Sequence, residues 1–175
     1  MKTLKVKVIK RLLVFSSLFL MSFISGNPND FTNNMSLDNE TFLTKLIAPN
    51  YGKVQVINIG ASWCTHCKPV LEQLATLMEE YSGKDVHFAF ICVTPNDKAS
   101  RDMYQERGID AASVHFTTNE EYHSLITTIT SQLALPYGIL INRKGVIVDE
   151  GSHVRPAGML GEKINLLLTQ DELTK

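Results

Sequence analysis

The feature that most constrains this 175-residue chain is a change of hydrophobic period between Val54 and Tyr81. Val54–Ile59 (VQVINI) is a β-branched run that reads as a buried strand. The apolar residues that follow, Cys67, Val70/Leu71, Leu74, Leu77/Met78 and Tyr81, recur at helical spacing, while Lys68, Gln73, Thr76, Glu79 and Glu80 face away. A strand that feeds an amphipathic helix needs a sheet on which the helical stripe can lie. The alternation then continues. Residues 86–93 read as a second strand, 98–107 as a helix capped by Pro95–Asn96–Asp97 and ended by Gly108, and 114–116 as a short strand. A moderately periodic helix is expected over 120–132. Residues 137–141 and 146–148 flank Asn142–Arg143–Lys144–Gly145, a strong antiparallel hairpin signal. A closing helix is expected over 157–168, with Leu160, Ile164, Leu167 and Leu168 inward. Strands alternating with helices and ending in a hairpin describe an α/β layer fold with a mixed sheet.

Charge separates the first residues from the rest. The formal net charge is −1, but Lys2, Lys5, Lys7, Lys10 and Arg11 crowd a stretch with no acid. From Asn27 onward there are 12 basic against 18 acidic residues, a net of −6. So acidic a body does not suit nucleic-acid binding, which rests on neutralising phosphates. After the basic start comes an apolar run, residues 12–24 (LLVFSSLFLMSFI), then Ser25–Gly26 and a polar stretch. This order marks a secretory signal, residues 1–26, either cleaved or kept as an N-terminal membrane anchor. The run is shorter than the ~20 residues of an ordinary spanning helix, and any membrane contact would be confined to it. Residues 27–49 read as a lead-in, with a short helix or turn near Leu43–Ile47, and residues 50–175 as the main domain. Export would put that domain where disulfide chemistry is allowed.

The chemistry lies where the first strand hands over to its helix, at Ala61-Ser62-Trp63-Cys64-Thr65-His66-Cys67. Two residues between the cysteines let both sulfurs meet in one short loop. Cys64 stands near the helix N-terminus, where free N–H groups and the macrodipole favour an anion. The thiolate is the nucleophile in disulfide exchange, so that placement activates it. Cys67 falls on the apolar stripe and should be shielded. Cys64 is therefore the expected attacking sulfur and Cys67 the resolving one.

A C-x-x-C gains meaning from a β-α-β setting, and with Trp63 ahead of it this sequence resembles the thioredoxin superfamily, especially its exported TlpA/ResA-like branch. The matching pieces are Gly52–Lys53, Asn58, Trp63–Cys67, Leu135–Pro136 and the hairpin Gly138–Gly145 with its following strand. The resemblance implies a thioredoxin-like three-layer α/β/α fold with a central mixed sheet. It implies a thiol–disulfide oxidoreductase acting on protein thiols and disulfides as a monomer, with an electron donor or acceptor protein and no small-molecule cofactor. It further implies a cis Pro136 facing the cysteine pair, with the Leu135 backbone pairing an extended substrate segment.

Trp63, Thr65 and His66 are candidate tuning residues. A Cys-x-His-Cys loop is similar to that of dithiol oxidases and isomerases, whereas TlpA/ResA-like reductases usually carry proline in place of His66. An imidazole there can stabilise the Cys64 thiolate and push the pair toward oxidation. Two departures stand out. Val70 occupies a position where many relatives of that branch have glutamate, and Asn58 stands where thioredoxin proper has a buried aspartate. Glu72 is the nearest acid and should face solvent. Pro69 predicts an irregular or kinked helix start near residues 65–69.

The remaining candidates read as structural. Cys92 is expected to be an inert core thiol. His87, His115, His123 and His153 show no metal-ligand spacing, and the charges over 98–107 read as a solvated face. The alternative is Cu(I) binding or metal delivery through Cys64 and Cys67.

Overall fold

The computed structural model describes residues 41–129, 134–151 and 157–170. The segment read as a signal or anchor, the lead-in up to Glu40, the last residues of the helix expected over 120–132, and His153 lie outside the described residues.

Five strands form one mixed sheet in the order β3-β2-β1-β4-β5. Strands β1 (Val54–Gly60), β2 (Val86–Cys92) and β3 (Val114–Phe116) run parallel. Strands β4 (Tyr137–Ile141) and β5 (Ile147–Gly151) add antiparallel on the other side of β1. Central β1 is buried along its whole length, which explains its unbroken β-branched run. The turn before β5 is fixed locally: Asn142 Oδ1 accepts from the N–H groups of Lys144 and Val146, and Gly145 takes φ +77°. Strand β5 runs further than the sequence suggests. Asp149, Glu150 and Gly151 have low strand propensity, but β4 supplies the partner ladder, and Lys163 closes on Asp149 at 2.6 Å.

Helices cover both faces. Helices α2 (Cys67–Glu80), α3 (Lys98–Gln105) and α5 (Ala157–Gln170) pack on one, through Leu71, Leu74, Leu77, Met103, Tyr104 and Ile164 against Val54, Val56, Phe88 and Phe90. Helices α1 (Phe42–Ile47) and α4 (Asn119–Ile129) cover the other, where Leu43, Ile47 and Leu125 meet Ile57, Ile59, Ile91 and Ile139. This is the expected three-layer arrangement. Leu43 and Ile47 are fully buried, so the packed body takes in residues that read as lead-in. The closing helix turns Ile164 into the core, while Leu160, Leu167 and Leu168 pack at its margin. Among the described residues no helix is long and apolar enough to cross a membrane.

The irregularity expected at residues 65–69 takes the form of a hydrogen-bonded turn, in which the Cys67 N–H donates to the Cys64 carbonyl at 3.1 Å. Helix α2 begins only at Cys67. Pro69 therefore sits in its first turn, where a missing N–H costs no helical bond.

Candidate active site

The end of β1 delivers the cysteine pair to the surface. The Val93 N–H donates to the Gly60 carbonyl (2.9 Å), and the Cys64 N–H to that of Ala61 (3.0 Å), so the chain turns sharply out of the sheet. The Ser62 N–H reaches across to Thr94 Oγ1 at 3.2 Å and ties the loop to the end of β2. Cys64 and Cys67 are joined as a disulfide, with Cα atoms 5.3 Å apart. Gly60 makes room for it. A Cβ at that position would lie 3.4 Å from Cys67 Sγ, tighter than most side-chain contacts, and 3.7 Å from the Tyr104 hydroxyl.

The two sulfurs are unequal. Cys67 is 0% exposed and Cys64 5%. Trp63, 70% exposed, flanks Cys64 with the exposed Thr65 and His66. Ala61 and the two cysteines form a small cluster on which Val93 and Leu135 pack. The Leu135–Pro136 bond is cis, and Pro136 is buried next to the buried Tyr137 of β4. The fold thus joins two segments about 70 residues apart in sequence, as the resemblance implies.

Behind the pair the interior is unusually polar. Asn58 alternates onto the same face of β1 as Val54, Val56 and Gly60. It is 1% exposed, and neither its amide nitrogen nor its oxygen has a partner. Tyr104 on α3, also 1% exposed, has an unpaired hydroxyl. Burial, and then the nearby Cys92 sulfur, push its ionisation far above the ordinary tyrosine range. Cys92 is buried, as expected of a core thiol, but it is not surrounded by hydrocarbon alone. Its sulfur lies 3.1 Å from Thr94 Oγ1, which in turn meets Ser100 Oγ at 2.9 Å. Glu72 does face solvent and lies 3.4 Å from the Arg107 guanidinium; it is not directed at the cysteines. Among the described residues no group of three His, Cys, Asp or Glu gathers in a way that could hold a metal ion.

Sequence reasoning missed Tyr104, Thr94 and Ser100. The helix over 98–107 carries so many charges that it reads as a solvated face. The available signal was spacing, because Ser100, Met103 and Tyr104 form the buried stripe of α3.

The Redoxin family model matches residues 27–165, most of the chain. The chain belongs to the Redoxin family. Solved structures with the same fold include a thiol:disulfide interchange protein of the thioredoxin family from Chlorobium tepidum, 19% identical with a TM-score of 0.59, covering 69% of this chain and 83% of that one. StoA from Bacillus subtilis is 20% identical with a TM-score of 0.53, over 66% and 84% of the two chains. A Bacteroides vulgatus protein provisionally assigned as a thiol-disulfide oxidoreductase is 28% identical with a TM-score of 0.52, over 71% and 79%. No curated protein matches the chain. Membership of the Redoxin family and a closed Cys64–Cys67 pair at the strand–helix junction together make this protein a thioredoxin-like thiol–disulfide oxidoreductase.

Proposed function

We propose that this Redoxin-family protein is exported and that it exchanges its Cys64–Cys67 pair with disulfides or thiols of other proteins. In the reducing direction the Cys64 thiolate attacks a substrate disulfide. A Cys64–substrate S–S bond forms, the substrate bond breaks, and the departing sulfur takes a proton from solvent. Cys67 then attacks the Cys64 sulfur, closes the bridge and releases the second substrate thiol. Two electrons pass to the substrate, and an electron-donor protein must restore the dithiol. Oxidation of substrates is the same sequence reversed, with an acceptor protein as the recharging partner.

The observation that carries this reading is the inequality of the sulfurs. The slightly exposed Cys64 lies beside the exposed Trp63, and Cys67 is sealed beneath it. A substrate sulfur can approach the first and not the second. Trp63 and Leu135 offer apolar contact on either side, and the backbone at Leu135–Pro136 would pair with an extended substrate segment. His66, exposed at the N-cap of α2, would bias the pair toward the oxidising side. Export rests on the basic residues before position 12 and the apolar run that follows.

The test uses single cysteine variants. In the reduced state, Cys67→Ser should accumulate a stable mixed disulfide with a peptide disulfide, because the attacking sulfur remains and the resolving one is gone. Cys64→Ser should accumulate none. Equal trapping by the two variants, or trapping only by Cys64→Ser, overturns the assignment. A redox titration followed by Trp63 fluorescence then sets the direction: a strongly oxidising midpoint indicates a donor of disulfides, a strongly reducing one a reductase.

A further inference from the structure

The exchange reaction creates a difficulty at Cys67. When the bridge opens, this sulfur becomes an anion at a site with 0% exposure. Burial alone disfavours a thiolate, and the acid nearest in sequence, Glu72, is turned to solvent and engaged with Arg107.

We propose that the Tyr104 hydroxyl donates a hydrogen bond to Cys67 Sγ whenever that sulfur is reduced, which makes Tyr104 a positioning residue that sets the redox balance of the pair. The inference rests on the exchange reading given above and extends it to a group on α3. Its geometric basis is the space in front of Gly60. A single point there lies 3.4 Å from Cys67 Sγ and 3.7 Å from the tyrosine hydroxyl, with no side chain of Gly60 between. The ring is held by edge-on contacts with Phe90 (centroids 5.8 Å apart) and Phe116 (6.4 Å). In the disulfide form the hydroxyl has no partner in good hydrogen-bonding geometry, and the acceptor beside it is the Cys92 sulfur. The neighbouring Cys92 sulfur is a weak acceptor and is already in contact with Thr94.

The consequence is a difference between the two redox states. With the bridge closed, Tyr104 is a buried donor that has only the weakly accepting Cys92 sulfur beside it. Two electrons entering the S–S bond break it. The Cys67 sulfur gains a lone pair and a negative charge, and the phenol gains a charge-assisted partner. Tyr104 keeps its proton throughout. The proton that Cys67 eventually binds comes from solvent, so the phenol shares its hydrogen without transferring it. The hydrogen bond therefore favours the dithiol and makes the disulfide more oxidising.

The deciding experiment is a glutathione redox titration of wild type, Tyr104→Phe and Tyr81→Phe. Tyr81 is a buried tyrosine whose hydroxyl already meets Gly161 and Asn165. Tyr104→Phe should move the equilibrium about tenfold toward the disulfide, a midpoint about 30 mV more negative. It should also lower the Tm of the reduced protein while leaving that of the oxidised protein unchanged or higher. Tyr81→Phe should lower both Tm values and leave the midpoint in place. An unchanged midpoint for Tyr104→Phe, with wild type exchanging normally, overturns the role of Tyr104 alone. A wild-type pair that never exchanges overturns the underlying reading and this one with it. Should the variant fail to fold, wild type labelled at the tyrosine ring carbons serves. Reduction should shift the Tyr104 Cζ resonance and not that of Tyr81, and a static Tyr104 signal refutes the proposal.

Discussion

Gln55 and Asn58 stand three residues apart on β1, each 1% exposed, and on opposite faces of the sheet. The Gln55 side-chain nitrogen donates to the carbonyls of Ile47 (3.1 Å) and Asn50 (3.2 Å), fastening the end of α1 and the turn after it to the sheet. Asn58 has no partner at either polar atom. Two of the buried tyrosines repeat the contrast: the Tyr81 hydroxyl, at the end of α2, bonds to α5, and that of Tyr104 has no partner in good hydrogen-bonding geometry. Gln55 and Tyr81 are satisfied and hold elements together, whereas the side chains of Asn58 and Tyr104 are left without a close partner. An unpaired buried donor or acceptor is costly, about 1–3 kcal/mol each, and the two such side chains lie on β1 and on α3, the latter with its hydroxyl across Gly60 from Cys67.

Leucine substitutions should expose that contrast most strongly. Gln55→Leu removes the side-chain donor to the Ile47 and Asn50 carbonyls, of which Asn50 keeps the Lys53 N–H at 3.1 Å, and should destabilise the oxidised protein by about 2 kcal/mol. Asn58→Leu removes an unmet amide and should be neutral or stabilising by up to about 1 kcal/mol in the same form. Denaturant unfolding of the disulfide form measures both, and equal costs would mean that the two amides do not differ as their contacts imply.

His66→Pro sharpens the comparison from the solvent side of the pair. The His66 φ of −75° already suits proline, so the loop should keep its shape while losing the imidazole. The midpoint should become more reducing, by about 30 mV. An unchanged or more oxidising value would leave Tyr104 and the helix terminus as the sources of any oxidising bias.

The smallest expected effect comes from His87, near the start of β2 and away from the cysteines. Burial, and then the Lys53 charge, lower its pKa. Its folded form resists the proton that the unfolded chain accepts, so stability is full above the unfolded pKa and falls as the pH drops through it toward the folded value. His87→Gln should reduce the fall in Tm between about pH 7 and pH 5. A wild-type Tm that stays level across that interval would count against the burial of this ring.

Much of the fold was legible because its period was legible. The stripe on α2, the β-branched run of β1 and the Asn142–Gly145 turn are local patterns, and each formed close to where it was expected. The helix cap at Asp97 was equally local, accepting from the Ser100 N–H, whereas the helix expected to run to Arg107 stops at Gln105 with Glu106 as its cap, and Gly108 takes φ +72° in the turn beyond. Boundaries failed where tertiary pairing overrode propensity, as at Asp149–Gly151, which became strand only because β4 lay alongside. The cysteines were readable from spacing and the Pro136 segment through family resemblance. The polar shell behind them was not, since Asn58, Tyr104 and Cys92 belong to three different elements and no local pattern links them.

What the order of residues determined by itself was the alternation of strands and amphipathic helices, the placing of two thiols at a strand–helix handover, and the basic, apolar start of the chain. Local sterics and hydrophobic period suffice for these. Only the tertiary structure decided that Cys67 would be sealed while Cys64 keeps a sliver of exposure, that Leu135 would pack against the pair, and that a phenol from α3 would stand across the bare Cα of Gly60 from a buried sulfur. Burial and unmet hydrogen bonds depend on what arrives from distant parts of the chain, so they exist only once the layers have closed.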